Sequence, residues 1–237
     1  MNIALIIAGG VGQRMGQDIP KQFLHVNDKP VIIYTLEVFQ KHPDINEIEV
    51  VCLDGWHEVL KAYAKQFGIT KLVNVVNGGL NGQDSIRNGV MDIALRHCSE
   101  DDIVVIHDSI RPMVSLDIIT DNIRVCRKYG NATTVIPCNT AMLKSEDALE
   151  STNQLSRDQV KMTQTPQSFH LKEFLDVHKE ALNRGIIASV ASCTLYIEMG
   201  KRVFLSKGSE KNLKLTTIDD VEIFKALLAT KKDLWLQ

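Results

Sequence analysis

Four glycines, an arginine and a lysine crowd into one short stretch near the amino end, Ile3 to Phe23, which reads IALIIAGGVGQRMGQDIPKQF. Gly9, Gly10, Gly12 and Gly16 remove side chains, so a ligand can come close to backbone N–H groups. Arg14 adds a rigid positive fork and Lys21 a positive charge on a movable stem, a pairing suited to a polyphosphate. The dinucleotide fingerprint G-x-G-x-x-G does not fit, because Gly10, Gly12 and Gly16 give a pattern one residue too long. The P-loop does not fit either, since no lysine follows a glycine within the loop. Pro20 fixes its own φ and biases Ile19 away from helix, so Lys21 is carried to a definite place. A plain strand-to-helix turn with solvated Arg14 and Lys21 is the other reading of the same letters.

Two further stretches carry groups of the same chemical kind. In VVIHDSIRP, residues Val104 to Pro112, Asp108 directly follows an apolar run and Arg111 comes three residues later. An aspartate at a strand end facing a phosphate loop is placed to bind Mg²⁺, which takes one or two carboxylates plus phosphate oxygens. An aspartate opening a turn before Pro112 explains the letters as well. In MTQTPQSF, Met162 to Phe169, the Thr165 hydroxyl can donate to a phosphate or sugar oxygen while Pro166 pins the backbone, and a plain turn is the alternative. Near the carboxyl end, Thr217 and Asp220 have the spacing of a capping box, so Asp219 and Asp220 are read as structural.

The elements that must position these groups follow from periodicity. Ile3 to Ala8 is a continuous apolar run of the kind a strand buried on both faces shows, and it ends at Gly9-Gly10. Lys29 to Gln40 is helical, with Pro30 in its first turn. Strands are then expected at Glu47 to Leu53, Lys71 to Val76, Ile103 to Ile106 and Thr133 to Ile136. Helices are expected at Trp56 to Phe67, Asp84 to Arg96 and Ser115 to Lys128, and a last helix carries Val221, Phe224 and Leu228. This alternation predicts an α/β fold: one Rossmann-like, doubly wound, mainly parallel sheet with helices on both faces. Ligands in such sheets bind beyond the carboxyl ends of the strands, near a switch in strand order. Between Asn139 and Thr165 the rhythm breaks into LKSEDALESTNQLSRDQ, too polar for a core and long enough to be either a mobile loop or an arm acting outside the domain.

AGGVGQRMG followed by PKQF resembles the nucleotide loop of the sugar-phosphate nucleotidyltransferases, specifically the cytidylyltransferases acting on 2-C-methyl-D-erythritol 4-phosphate or ribitol 5-phosphate. The resemblance runs from Leu5 to Leu228 through four separated motifs in the expected order. It implies CTP as substrate, Ala8, Gly9, Gly10 and Gly12 as nucleotide-binding residues, and Arg14 and Lys21 as catalytic groups holding the phosphates. VVIHDSIRP is similar to the family's H-D-A-A-R-P, which makes Asp108 a metal- and substrate-binding residue and Arg111 a phosphate-side one. Q-T-P-Q recurs with Thr165. SKGSEKNLKLT resembles E-G-x-x-x-N-I-K-[VI]-T and makes Lys214 a third catalytic cation. Asn77-Gly78-Gly79 with Ser85 resembles G-G-x-x-R-x-x-S, the cytosine-recognising stretch, giving Gly79 and Ser85 as nucleotide-binding. There Gly82 replaces the arginine, and a loop with an N-cap explains those letters equally. The segment at about 138–163 matches a β-arm that exchanges between subunits, so the resemblance implies a homodimer with Arg157 delivered to the partner's site.

Two departures concern the second substrate. Thr140-Ala141 stands where the family has Asp-Thr, shifting a hydroxyl that touches the polyol, and IASVASC, Ile187 to Cys193, lacks the acidic cluster T-D-E-A-S or S-D-A. Ser109-Ile110 in place of Ala-Ala is closer to the ribitol 5-phosphate branch. The expectation is transfer of CMP from CTP to a polyol phosphate with release of pyrophosphate. Ribitol 5-phosphate or a related alditol phosphate is preferred, and 2-C-methyl-D-erythritol 4-phosphate is the alternative. A nicotinamide-dependent oxidoreductase is disfavoured by the failed fingerprint.

Composition sets the outer bounds. The 237 residues fit one α/β domain, 1–237, with the arm as its excursion; 44% hydrophobic and 24% charged residues allow a sizeable core. A formal net charge of -2 argues against a broad nucleic-acid surface, so phosphate binding is local. Cys52, Cys98, Cys126, Cys138 and Cys193 are odd in number and make no C-x-x-C pair, as in a reducing compartment. No apolar run approaches the roughly 18 residues of a membrane span, and no signal-like leader precedes the first strand. These features predict a cytoplasmic protein without membrane contact.

Overall fold

Along β1 (Asn2–Ala8) the buried side chains alternate between two cores, Ile3 and Leu5 in one and Ala4, Ile6 and Ala8 in the other, which is the burial of a strand between two helical layers. The computed structural model describes residues 1–10, 19–97 and 99–233. After a 3₁₀ turn at Lys21–Phe23 come the short paired strands β2 (His25–Val26) and β3 (Lys29–Pro30). The chain continues through α1 (Val31–Lys41), β4 (Glu47–Cys52), α2 (His57–Gln66), β5 (Leu72–Asn77), α3 (Gly82–Arg96), β6 (Ile103–Asp108), α4 (Leu116–Tyr129) and β7 (Asn131–Pro137). Then follow β8 (Met142–Lys144), β9 (Asn153–Leu155), β10 (Lys161–His170), α5 (Leu171–Asn183), α6 (Ser192–Glu198), β11 (Leu205–Lys207) and α7 (Ile218–Asp233).

The seven-stranded sheet has the order β11-β7-β10-β6-β1-β4-β5. β1 pairs in parallel with both β4 and β6, β4 with β5, and β11 with β7; β10 alone runs antiparallel, between β6 and β7. The mainly parallel, doubly wound sheet read from the sequence is therefore present with one inserted antiparallel strand. Helices α1, α2 and α4 cover one face and α3, α5 and α6 the other. Each fully buried Ile, Leu or Phe contributes about 1.5–3 kcal/mol, so these two layers dominate the stability. A smaller core of Val26, Val31, Ile110, Met113, Leu215 and Phe224 seats α7.

MTQTPQSF is where the structure departs from the turn considered for it. These residues lie within β10, with a cis Thr165–Pro166 peptide and a register irregularity between Thr163 and Gln167. The Pro166 carbonyl is held by a buried hub: Asn122 Nδ2 donates to it at 3.0 Å and to Ser206 Oγ at 2.8 Å, and Thr134 Oγ1 donates to it at 2.7 Å. Buried polar groups must be matched in this way, and here the matching ties α4, β7 and β11 to the residue next to Thr165. β6 extends two residues past the expected Ile106, making His107 and Asp108 its last members. The capping pair is as read: Asp220 Oδ2 accepts from the Thr216 and Thr217 N–H groups, and the Asp220 N–H returns to Thr217 Oγ1. β8 and β9 form a separate hairpin whose residues are all exposed.

Candidate active site

The strand order reverses at β1, whose neighbours β4 and β6 lie on opposite sides; Ile7 there stands level with Asp108. Beyond these carboxyl ends opens a cavity of about 640 Å³, within the range of small-molecule sites. Ala8, Gly9, Gly10, Lys21, Gly79, Ser85, Asp108, Arg111, Thr165 and Lys214 all line it, drawn from segments spread along the whole chain. Gly12 and Arg14 lie outside the described residues. Thr140 and Arg157 are exposed and are not among the described residues lining the cavity, so one chain by itself does not bring them to it.

The glycine loop is anchored by a residue the sequence reading passed over. Gln22 is buried, and its Nε2 donates to the carbonyls of Ala8 at 2.8 Å and Gly10 at 3.1 Å, tying the end of β1 and the first glycines to the segment that carries Lys21. On the other wall, Ser85 Oγ accepts the Gly79 N–H at 3.0 Å and donates to the Asn81 carbonyl at 2.9 Å. Asn81 is the N-cap of α3, its side chain accepting from the Asp84 N–H. The proton of Ser85 is thus used locally. Gly79 has no room for a side chain: a Cβ there would lie 2.3 Å from Asp84 Cβ and 2.8 Å from the Ser85 nitrogen.

Charge converges on Asp108. Arg111 Nε donates to Oδ2 at 3.0 Å, and Lys214 Nζ stands 3.2 Å from each carboxylate oxygen. Burial alone would raise the Asp108 pKa, but Lys214 and Arg111 outweigh it and hold the carboxyl below its usual value, so it is ionised at neutral pH. Next to it, His107 is fully buried, and burial pushes its pKa down to about 4, so the ring is neutral. Its Nε2 faces the Arg111 carbonyl at 3.2 Å, which can only accept; Nε2 therefore carries the proton. Nδ1 is then the acceptor for the Thr165 hydroxyl at 3.0 Å, while Thr165 Oγ1 accepts the Asp108 N–H at 3.1 Å. In this arrangement the Thr165 proton, read from sequence as a donor to substrate, is committed to His107, and Thr165 offers a bound ligand a lone pair.

Asn212 completes the surroundings. Fully buried, it donates from Nδ2 to the Thr165 carbonyl at 2.8 Å, and its main-chain carbonyl accepts from Arg111 Nη1 at 2.8 Å. Neither His107 nor Asn212 was singled out from sequence, although each lies inside a motif that was. Among the described residues, no cluster of three or more His, Cys, Asp or Glu surrounds a point in space. A single ionised carboxylate still fits Mg²⁺ arriving with a nucleotide, since phosphate oxygens and water supply the other ligands.

Backbone glycines at a switch point, with lysines and one carboxylate gathered across the cleft, are the site plan of an enzyme that handles the phosphates of a nucleotide. Comparison with known proteins makes the class specific. Residues 2–230 match the family described as "IspD: 2-C-methyl-D-erythritol 4-phosphate cytidylyltransferase". The chain belongs to this family of cytidylyltransferases. It is 42% identical to a ribitol-5-phosphate cytidylyltransferase of Lacticaseibacillus paracasei, over 98% of this chain and 100% of that one. It is 36% identical to a 2-C-methyl-D-erythritol 4-phosphate cytidylyltransferase of Clostridium botulinum, over 96% and 97% of the two chains. In fold it resembles the crystal structure of 4-diphosphocytidyl-2C-methyl-D-erythritol synthase from Anaerococcus prevotii, with a TM-score of 0.81 at 22% identity, covering 96% of each chain. No helix among the described residues is long and apolar enough to cross a membrane.

Proposed function

We propose that this enzyme transfers CMP from CTP to ribitol 5-phosphate, releasing pyrophosphate and giving CDP-ribitol, an activated donor for a cell-surface polymer. The observation that carries the acceptor is the likeness to the ribitol-named relative, higher in identity than to the methylerythritol-named one and spanning both chains. Ser109-Ile110 after Asp108 supports the same branch. The family description favours 2-C-methyl-D-erythritol 4-phosphate as the second reading.

In the reaction, an oxygen of the acceptor's phosphate attacks the α-phosphorus of CTP in line. A new P–O bond forms as the bond to the β-phosphate oxygen breaks, and the electron pair leaves with pyrophosphate. The attacking phosphate is already anionic, so no general base is required. Positioning and charge stabilisation supply most of the rate. Ala8, Gly9 and Gly10 offer backbone to the nucleotide, Gly79 and Ser85 shape the wall for the base, and Lys21 and Lys214 stabilise charge at the α-phosphate. Asp108 would hold Mg²⁺, which neutralises phosphate charge when bound. Arg111 and Thr165 face the acceptor, and Arg14 is assigned to the nucleotide phosphates.

In our reading the chain is one domain, 1–237, that works as a cytoplasmic homodimer through the arm at about 138–163. Exposed Leu143, Leu149, Leu155 and Met162 on that arm offer apolar surface to a second copy, which would bring Arg157, with Thr140, to the acceptor side. The test is pyrophosphate release with CTP and Mg²⁺ against ribitol 5-phosphate, methylerythritol 4-phosphate, arabinitol, mannitol and glycerol phosphates. Release with ribitol 5-phosphate at the highest kcat/KM is expected. Preference for methylerythritol 4-phosphate overturns the acceptor, and silence across the panel overturns the activity.

A further inference from the structure

Helix α5 brings one buried histidine to the cleft. The Leu171 N–H donates to the carbonyl of Asp102, just before β6, so α5 starts at the amino end of that strand and climbs beside it toward the cavity. Seven residues of helix rise about 10 Å, as do the three strand steps from Ile103 to Ile106, which sets His178 roughly level with Ile106 and about 7 Å below Asp108. His178 is 1% exposed and lines the cavity, its ring edge-on to Phe174 with the ring centroids 4.6 Å apart. Neither ring nitrogen has a hydrogen-bond partner among the described residues. A buried donor and a buried acceptor are normally both matched, because leaving them bare costs free energy.

Other polar side chains lining the cavity have spent their atoms on the protein. Gln83 donates from Nε2 to the Ile186 carbonyl at 2.9 Å and accepts the Ser189 N–H on Oε1 at 2.6 Å. Gln167 accepts the Cys193 N–H on Oε1 at 3.0 Å, and Ser189 Oγ donates to Glu198 at 2.6 Å. The charges that act on His178 are Arg87 and Asp84 of α3, which pair with each other at 2.7 Å; burial is the larger influence and pushes the pKa down to about 4, so the ring is neutral. A neutral imidazole offers one N–H and one lone pair, which complements a hydroxyl and suits a phosphate poorly. We propose that His178 is a specificity-determining residue that takes a hydroxyl of the acceptor's polyol chain, the acceptor's phosphate being held above it at the Asp108 end of the cavity. The proposal rests on the cytidylyl-transfer reading given above and adds to it the residue that reads the chain. Gln167 follows Thr165 by two residues in β10 and pairs with Ile106, so the floor next to Thr165 and the ring of His178 share one level. An alditol chain running inward from its phosphate presents a hydroxyl at that depth. A ligand without that hydroxyl leaves the imidazole bare, which is how a site built to bond a hydroxyl rejects the analogue lacking it.

The test compares wild type with His178→Leu and His178→Gln, using ribitol 5-phosphate and a set of its deoxy analogues that each lack one hydroxyl. Wild type is expected to lose about 10- to 100-fold in kcat/KM with one analogue, through KM more than kcat. His178→Leu is expected to lose the same factor with ribitol 5-phosphate and nothing further with that analogue, as two changes that remove one contact do. His178→Gln, which keeps a donor and an acceptor, recovers part of the loss, and CTP affinity is unchanged in both variants. A His178→Leu enzyme that turns over ribitol 5-phosphate, or discriminates among the analogues, as wild type does overturns the proposal. So does a loss of discrimination between CTP and 2′-deoxy-CTP in place of the acceptors, which would set the ribose against His178. Ring-nitrogen NMR of the full chain labelled with nitrogen-15, with α,β-methylene-CTP present to block transfer, gives a readout free of turnover. There the His178 nitrogens are expected to shift when the acceptor is added. No shift with any polyol phosphate of the panel overturns the proposal, whereas a shift in a wild type that releases no pyrophosphate from CTP overturns the functional reading and leaves His178 assigned.

Discussion

Lys214 Nζ stands 3.2 Å from both carboxylate oxygens of Asp108, and Lys214→Ala takes that charge out of the cleft. At this separation a pair of unit charges is worth about 1.3 kcal/mol with water-like screening and about 5 kcal/mol at an effective dielectric near 20. The Lys214 side chain is 42% exposed, which places its resting ion pair at the screened end, so the loss of fold stability is about 1 kcal/mol or less. In a chain of this size that is a fall of roughly 2–4 °C in Tm. In the transition state the cleft is filled and water excluded, and removing one preorganised donor costs about 10² to 10³ in rate, or about 2.7–4 kcal/mol, inside the electrostatic bracket. Steady-state pyrophosphate release at saturating CTP and acceptor, with a melt of the same sample, measures both quantities. A kcat within about threefold of wild type would refute the charge-stabilisation argument. A drop in Tm of more than about 10 °C would show that the lysine is chiefly structural.

Gly79→Ala forces a Cβ to 2.3 Å from Asp84 Cβ and to 2.7–2.8 Å from the backbone of Asp84 and Ser85, so the loop must move; CTP Kd is expected to rise about tenfold or more, and an unchanged Kd in calorimetry would remove Gly79 from the nucleotide wall. His178 is buried with neither ring nitrogen bonded, and burial, assisted by Arg87 and opposed by Asp84, pushes its pKa down to about 4. Because the unfolded chain takes up this proton from about pH 6.5 and the folded one only near 4, the stability His178 contributes is present above about pH 6.5 and lost as pH falls toward 4, on the order of 3 kcal/mol. His178→Leu should therefore be close to neutral at pH 7.5 and flatten the acid limb of urea-unfolding curves, whereas parallel curves for the two proteins would contradict the assignment.

Much of this was legible in the residues themselves. The apolar run Ile3 to Ala8 ending in glycines announced a strand buried on both faces that stops at the cavity, because such burial is a local demand that local letters answer. The alternation of periods gave the doubly wound sheet, and the Thr217 and Asp220 spacing gave the last helix its start. Lys21, Asp108, Arg111, Thr165 and Lys214 were found by type and motif, and the structure lines one cavity with all five. What the letters did not carry was which of them touch. Thr165 is 57 residues from Asp108, Asn212 is 101 from Arg111, and Lys214 is 106 from Asp108. The first meeting depends on β10 running antiparallel between β6 and β7, and the other two on the segment after β11 lying along the loop that follows β6, where the Leu215 N–H donates to the Ile110 carbonyl; no short-range pattern encodes either. The same holds for protons. Sequence shows a histidine and a threonine, but only the fold, by burying the ring against a carbonyl that can do nothing but accept, decides that His107 is neutral and that the Thr165 hydroxyl points to it.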